Sequence, residues 1–210
     1  MSHELRPAGT GPLPVTLRLS HRLAAAAAPL TPALFKRRLG QGKEDPARID
    51  ERRGITRHAR PSGPLVWIHG ASVGEVLAAA ALIERLRALN IRILLTSGTV
   101  TSAAVVAKRF PPDIIHQYLP YDSPRFVARF LNYWQPSLAL FIESDLWPNL
   151  ILAGGARRLP MVLLNGRMSQ RSFPRWRRLS GTIAALLSRF DICHVQSEID
   201  AERFTMLGRR

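Results

Sequence analysis

Glu75 closes the polar segment Gly70-Ala-Ser-Val-Gly-Glu75, which follows the apolar run Pro64-Leu-Val-Trp-Ile-His69 and precedes an Ala- and Leu-rich stretch. The order reads as strand, tight turn, helix. A carboxylate at the mouth of a crevice can take the proton from a sugar hydroxyl as a new bond forms to its oxygen. The spacing Ser72-x-x-Glu75 is also that of a capping box, in which the two side chains satisfy free N–H groups at a helix start. A carboxylate tied to the backbone is the poorer base, so the two roles compete. Gly70 and Gly74 permit a tight turn and close approach of a ligand. The pattern is not G-x-G-x-x-G, so nothing here supports a nicotinamide cofactor.

A second acidic pair, Glu143 and Asp145, stands after another apolar run. It can serve as a paired acid site. Alternatively Ser144 or Asp145 caps a helix that starts near Trp147-Pro148. No His or further carboxylate cluster completes a ligand set, so neither a metal nor a cofactor is expected. Thr96, Ser97, Thr99 and Thr101 surround Gly98, and hydroxyls at a helix start suit a phosphate. Ordinary turn chemistry explains the same residues. Tyr121, Asp122, Asn149, Asn165 and Arg167 complete the candidate binding set, and Arg167 can grip a phosphate in bidentate fashion. His69 and His116 read as strand residues without chemistry. The stretch Arg171–Arg178 carries four Arg beside Phe173 and Trp176 and reads as a solvated basic helix face.

Elements of two kinds must hold these residues. Apolar runs at Leu65–His69, Ile91–Thr96, Ile114–Leu119, Ser137–Ile142, Met161–Asn165 and Ile192–Gln196 read as strands buried on both faces. Helical patterns fall between and after them, at Val76–Leu89, Thr101–Arg109, Pro124–Trp134, Leu146–Ala156, Phe173–Arg189 and Glu198–Leu207. Strict alternation implies a Rossmann-like parallel sheet with helices on both faces and right-handed crossovers. All six strand ends then share one rim, where open α/β sheets bind ligands. Its carboxylates, hydroxyls, amides and Arg suit a polyhydroxylated, anionic ligand.

Ahead of this domain, residues 1–12 read as disordered, 13–39 as helical with a break near Pro29, and 40–63 as a charged connecting loop. The chain is divided as 1–39 leader and membrane-proximal segment, 40–63 loop, and 64–210 Rossmann-like domain. Net charge is +15, from thirty basic and fifteen acidic residues. Residues 1–62 hold twelve basic and five acidic side chains, residues 63–156 hold seven and six, and residues 157–210 hold eleven and four. The ends are basic and the middle nearly neutral, which favours anionic partners. Leu23–Phe35 is too short and too broken by Pro29 and Pro32 to span a membrane. With Arg18, His21 and Arg22 on one side and Lys36, Arg37 and Arg38 on the other, it suits a helix lying on an anionic membrane surface. Only Phe173 and Trp176 interleave with basic residues as stacking aromatics, so nucleic-acid binding is not expected. The single cysteine, Cys193, permits no disulfide within the chain and reads as a small buried hydrophobe.

His69-Gly-Ala-Ser-Val-Gly-Glu75, Tyr118-Leu-Pro-Tyr-Asp122, Glu143-Ser-Asp-Leu-Trp-Pro-Asn149 and Asn165-Gly-Arg-Met-Ser169 together resemble the N-terminal half of 3-deoxy-D-manno-octulosonic acid (Kdo) transferases, bacterial enzymes of lipopolysaccharide assembly. The similarity runs in collinear order from about Phe35 to the C-terminus. It implies a GT-B glycosyltransferase, two Rossmann-like domains facing across a cleft. The N-terminal one would take a phosphorylated lipid A precursor and the C-terminal one the donor CMP-Kdo, in an inverting, metal-independent transfer. The resemblance puts Glu75 on the family's base and Glu143 on a carboxylate that stabilises the transition state. It also implies attachment to the cytoplasmic face of the bacterial inner membrane through the N-terminal segment. Asp145 stands where the family more often has Glu. The donor half is missing from this sequence, so the expectation is a truncated chain that binds acceptor and does not transfer Kdo alone. Half of another GT-B enzyme with an anionic acceptor, or a basic membrane- or polyanion-binding module, are the other readings.

Overall fold

Leu65, Val66, Trp67, Ile68 and His69 are all buried, because each neighbour in the run faces an opposite side of a sheet that is covered on both sides. The computed structural model describes residues 12–143 and 146–208. Residues 1–11, with the disorder expected there, and Ser144 and Asp145 lie outside the described residues.

Six parallel strands form one sheet in the order β3-β2-β1-β4-β5-β6: β1 (Leu65–His69), β2 (Arg92–Ser97), β3 (Ile115–Tyr118), β4 (Leu138–Ile142), β5 (Met161–Gly166) and β6 (Ile192–Val195). The chain winds outward from β1 to β3, returns to pair β4 with β1, and continues to β6. This is the doubly wound arrangement that the alternation implies. The helices are α1 (Val15–Ala27), α2 (Thr31–Gly40), α3 (Val73–Ala78), α4 (Ala80–Ala88), α5 (Val100–Arg109), α6 (Pro124–Trp134), α7 (Pro148–Ala156), α8 (Phe173–Arg178), α9 (Ser180–Leu187) and α10 (Glu198–Met206). The two long helices expected after β1 and β5 are each broken, at Ala79 and Leu179.

Two apolar layers sandwich the sheet. Leu65 and Trp67 of β1 join Phe130, Trp134 and Phe141 on one face, while Val66 and Ile68 join Val76, Ile83 and Val106 on the other. Trp67 meets Phe130 and Phe141 edge-on, with ring centroids 5.0 and 5.2 Å apart, a favourable geometry for aromatic rings. Strand β6 departs from the expectation of two buried faces. It is an edge strand, Ile192 is 57% exposed, and Cys193, expected to be buried, is only half-buried.

The break near Pro29 is present as a single 3-10 turn, Ala28–Leu30, between α1 and α2. Residues 40–63, expected as a loop, are corrected in part: Pro46–Arg53 forms a 3-10 helix, capped by the Asp45 side chain and closed by Gly54 at a positive φ of 73°. A side chain on Gly54 would come within 2.4 Å of the Phe126 carbonyl oxygen. This turn lies along the outer edge of β3. Glu51 accepts the Tyr118 N–H at 2.7 Å, and Arg48 donates to the His116 carbonyl at 3.0 Å. Side chains here satisfy backbone groups that a seventh strand would otherwise engage.

Candidate active site

The sheet reverses its winding between β1 and β4, so the connections after these strands leave in opposite directions and open a crevice at their C-terminal ends. Glu75 lies in the first connection and Glu143 opens the second. The register pairs His69 with Phe141, which brings the two carboxylate-bearing segments to neighbouring positions on one rim. Asn165 and Arg167 end β5, the next strand along. The shared rim that the sequence implies is therefore present in the backbone.

Glu75 sits in the first turn of α3, and its geometry carries features of both roles that the sequence leaves open. Ser72 is the N-cap, and its hydroxyl accepts the Glu75 N–H at 3.3 Å. One carboxylate oxygen accepts the Ser72 O–H at 2.8 Å and the other accepts the Ala71 N–H at 2.7 Å. A carboxylate offers about four acceptor positions. Two are used, one on each oxygen, so the clamp fixes the group without exhausting its capacity to accept a proton. Gly70 is needed for this turn, because a Cβ there would lie 3.0 Å from the Val76 nitrogen. Ser72 and Gly74 of this turn are exposed, while Glu75 itself is 9% exposed.

Glu143 and Asn165 share a rarer feature. Both adopt left-handed backbone conformations, with φ of 59° and 56°. Asn tolerates this region and Glu seldom occupies it. The Glu143 N–H is tied to the Leu164 carbonyl at 2.8 Å, which fixes the corner where β4 turns away from the sheet. Two adjacent strand ends thus carry backbone strain of the sort that concentrates at functional sites. Arg167 is exposed just beyond β5.

Other candidates prove to be scaffold. Thr96 and Ser97 are fully buried, which corrects their reading as phosphate ligands. The Thr96 hydroxyl accepts the Trp67 Nε1–H at 2.9 Å and meets His69 Nδ1 at 2.9 Å. Ser97 bonds His116 Nε2 at 2.9 Å. Both side chains point into the sheet layers because they still belong to β2, one residue too early to reach the rim. Burial, aided by the charges of Arg48, His58 and Arg52, pushes His116 down to about 3, so its ring is neutral and its Nδ1 accepts from Arg48 at 3.0 Å. Thr99 is exposed, but its hydroxyl serves a capping box with Ser102 at the start of α5. Asp122 caps α7 from outside, accepting the Asn149 N–H at 3.0 Å and the Leu150 N–H at 2.9 Å. Asn149 is buried, and its side chain ties the Asp122 carbonyl to His21 of α1. Asp145 lies outside the described residues. Among those residues, no group of three or more His, Cys, Asp and Glu side chains is arranged to hold a metal ion.

Reading residues 40–63 as a loop misses the best-buried ionic network. Glu44 accepts from Arg38 Nε at 2.7 Å, from Arg52 Nε at 2.7 Å and from the Tyr121 hydroxyl at 2.9 Å. Burial alone pushes Glu44 up, but the hydrogen bonds and charge of Arg52, with Arg38 and Tyr121, carry it below the ordinary carboxylate range. Tyr121, expected to bind ligand, is committed here; burial and its bond to Glu44 push its hydroxyl up to about 12. Arg52 extends the network, donating to the Gly98 carbonyl at 2.6 Å and to the Leu119 carbonyl at 3.0 Å. The alternation of acid and base at helical spacing, Glu44, Arg48, Glu51 and Arg52, was the available signal that these charges pair.

A doubly wound parallel sheet with a clamped carboxylate at its switch point has the form of the N-terminal, Rossmann-like half of a GT-B glycosyltransferase. The sequence matches the profile of the 3-Deoxy-D-manno-octulosonic-acid transferase (kdotransferase) family over residues 47–210. It is 38% identical over 194 residues to a 3-deoxy-D-manno-octulosonic acid transferase of Rickettsia bellii, covering 91% of this chain and 46% of the relative. It is 43% identical over 146 residues to the enzyme of the same name in Rickettsia felis (69% of this chain, 31% of the relative). The corresponding Haemophilus influenzae protein is 35% identical over 164 residues, 77% of this chain and 38% of its own length. The chain belongs to the Kdo transferase family. It spans less than half the length of these relatives.

Proposed function

We propose that this chain is the acceptor-binding half of an enzyme that transfers Kdo from CMP-Kdo to a lipid A precursor in lipopolysaccharide core biosynthesis. The observation that carries this is the Glu75 carboxylate, held by the Ala71 N–H and the Ser72 hydroxyl at the rim of the switch-point crevice. There it takes the proton from an acceptor hydroxyl as that oxygen bonds to the anomeric carbon of Kdo and the bond from that carbon to the CMP phosphate breaks. Glu143, on the neighbouring strand end, supplies a second negative charge beside the positive charge that develops on the sugar. Ser72, Gly74, Asn165 and Arg167 border the space for the acceptor, and Arg167 suits its phosphate. CMP-Kdo would be held by a second Rossmann-like domain, and this half alone would bind acceptor without turning it over.

Helix α1 supports placement on a membrane. Val15, Leu19 and Leu23 form an exposed stripe at i, i+4 and i+8, and Leu30 of the 3-10 turn and Leu34 of α2 are exposed as well. Arg18, Arg22, Lys36 and Arg37 flank these leucines and are exposed. An apolar stripe with a basic margin suits the headgroup region of an anionic leaflet, here the cytoplasmic face of the inner membrane. Among the described residues, no helix is long and apolar enough to cross a membrane.

Glu75→Gln in the full-length enzyme tests the base. Glutamine can still accept the Ala71 N–H and bond Ser72, so the cap and the fold should survive while the base is lost. Kdo transfer to a lipid A precursor should fall by roughly 10²–10⁴-fold. Activity retained by a folded Glu75→Gln protein would leave Glu75 as a helix cap only.

A further inference from the structure

The geometry points to Arg52 as a positioning residue for the Glu75 carboxylate, acting through Gly98 and Ala71; this rests on the reading of Glu75 as the base. Four hydrogen bonds run in series from the buried network to the rim. Glu44 holds the Arg52 guanidinium at 2.7 Å. Arg52 Nη2 donates to the Gly98 carbonyl at 2.6 Å. The Gly98 N–H donates to the Ala71 carbonyl at 2.9 Å. The Ala71 N–H donates to Glu75 Oε2 at 2.7 Å. The last three links run through the peptide groups of Gly98 and Ala71, with side chains only at the two ends, Arg52 and the clamped Glu75.

Three features make Arg52 the anchor rather than a bystander. Its side chain is 6% exposed and that of Glu44 is 1% exposed, so neither exchanges partners with water. Its guanidinium lies 4.6 Å from the Tyr118 ring centroid, and Nη1 also binds the Leu119 carbonyl, which fixes the fork against the ends of both β2 and β3. The contact it braces is close: a Cβ on Gly98 would lie 2.7 Å from the Ala71 carbonyl oxygen, so the β2 connection can touch the β1 connection only with glycine there. Arg52 therefore sets how far the β2 connection leans onto Ala71, and through it where the clamped oxygen sits. A planar fork with several fixed donors is required, which Lys cannot reproduce.

The test compares Arg52→Lys with Arg48→Lys, which also ties the 3-10 helix to β3 but has no link to Gly98. Amide exchange of Gly98 and Ala71 is followed by NMR in this chain, and kcat and KM are followed in the full-length enzyme. In Arg52→Lys, exchange at both amides should quicken about tenfold, the scale of one weakened hydrogen bond. kcat should fall by roughly 10- to 100-fold, as misplacement of a catalytic group does, with KM for the lipid acceptor unchanged. Arg48→Lys should leave Ala71 exchange and kcat as they are. Equal effects from the two variants, or unchanged Ala71 exchange in folded Arg52→Lys, would overturn the assignment. Should Arg52→Lys not fold, Gly98→Ala breaks the same series one link later, and unchanged Ala71 exchange there is equally fatal. An active Glu75→Gln enzyme together with quickened Ala71 exchange in Arg52→Lys would remove the base and keep the mechanical link, so the two failures are told apart.

Discussion

At the scale of single residues, polar groups in this protein divide by whether their hydrogen-bonding capacity is used up. Glu75 and Asp122 are both carboxylates beside helix starts. Asp122 spends both oxygens on backbone N–H groups of α7 and on the Asn149 amide, and burial pushes it up against the pull of those donors. Glu75 accepts one donor on each oxygen and sits at the crevice. Asp122→Ala should accordingly cost about 2 kcal/mol of stability in urea unfolding, from two freed backbone donors at the start of α7. Activity per folded molecule should change little. Glu143 and Arg167 directly follow strands, Asn165 is the next-to-last residue of β5 and Glu75 lies in the first turn of the helix after β1, so strand ends read from the sequence are enough to group them. The same reading misplaces Thr96 and Ser97, since β2 runs on to Ser97 and a one-residue extension turns an exposed turn into a buried strand end.

Secondary elements explain what pattern reading can and cannot reach. Strands β1 to β5 are legible because runs with two covered faces are continuously apolar, and the helices because charges fall on one side. The 3-10 helix Pro46–Arg53 escapes such reading: it is mostly charged, and its place in the fold comes from side-chain hydrogen bonds to backbone carbonyls far along the chain. Its network predicts how stability follows pH. His116 is depressed to about 3 by burial and by neighbouring positive charges, so the folded protein takes up no proton there while the unfolded chain does so near the ordinary histidine value of 6.5. The stability contributed is present above that value and is lost as pH falls toward about 3, with a slope of up to about 1.4 kcal/mol per pH unit. His116→Gln should flatten the upper part of this slope. Glu44 is depressed in turn, so its contribution is present above the ordinary carboxylate range and disappears at still lower pH. Glu44→Gln should cost about 3 kcal/mol near neutrality, and its deficit relative to the parent protein should shrink on acidification. Urea unfolding across the acid range measures both.

For the molecule as a whole, charge and apolar surface act together. The basic ends of the chain and the exposed leucines of α1 and α2 call for two contributions to membrane binding, one screened by salt and one not. Sedimentation with vesicles containing anionic lipid should carry the protein down, and added salt should weaken the association without abolishing it. Leu19→Asp should remove most of the residual salt-resistant part. Equal binding to neutral and anionic vesicles, or an unaffected Leu19→Asp protein, would speak against this surface. The alternation of strand and helix from residue 64 onward was legible from the sequence. That residues 44–53 clasp the sheet was not, because charged residues alone do not reveal which of them are withdrawn from water.

The same clasp guards the molecule against its own kind. An unoccupied strand edge is a template on which a second chain can add, and growth from there leads to fibrous or amorphous aggregates. Along β3 the Glu51 carboxylate and the Arg48 guanidinium already occupy the outward amide of Tyr118 and the carbonyl of His116. Incoming backbone would have to evict an ion pair before it could zip on, so this edge of the sheet is closed by the very segment that composition dismisses as a tether.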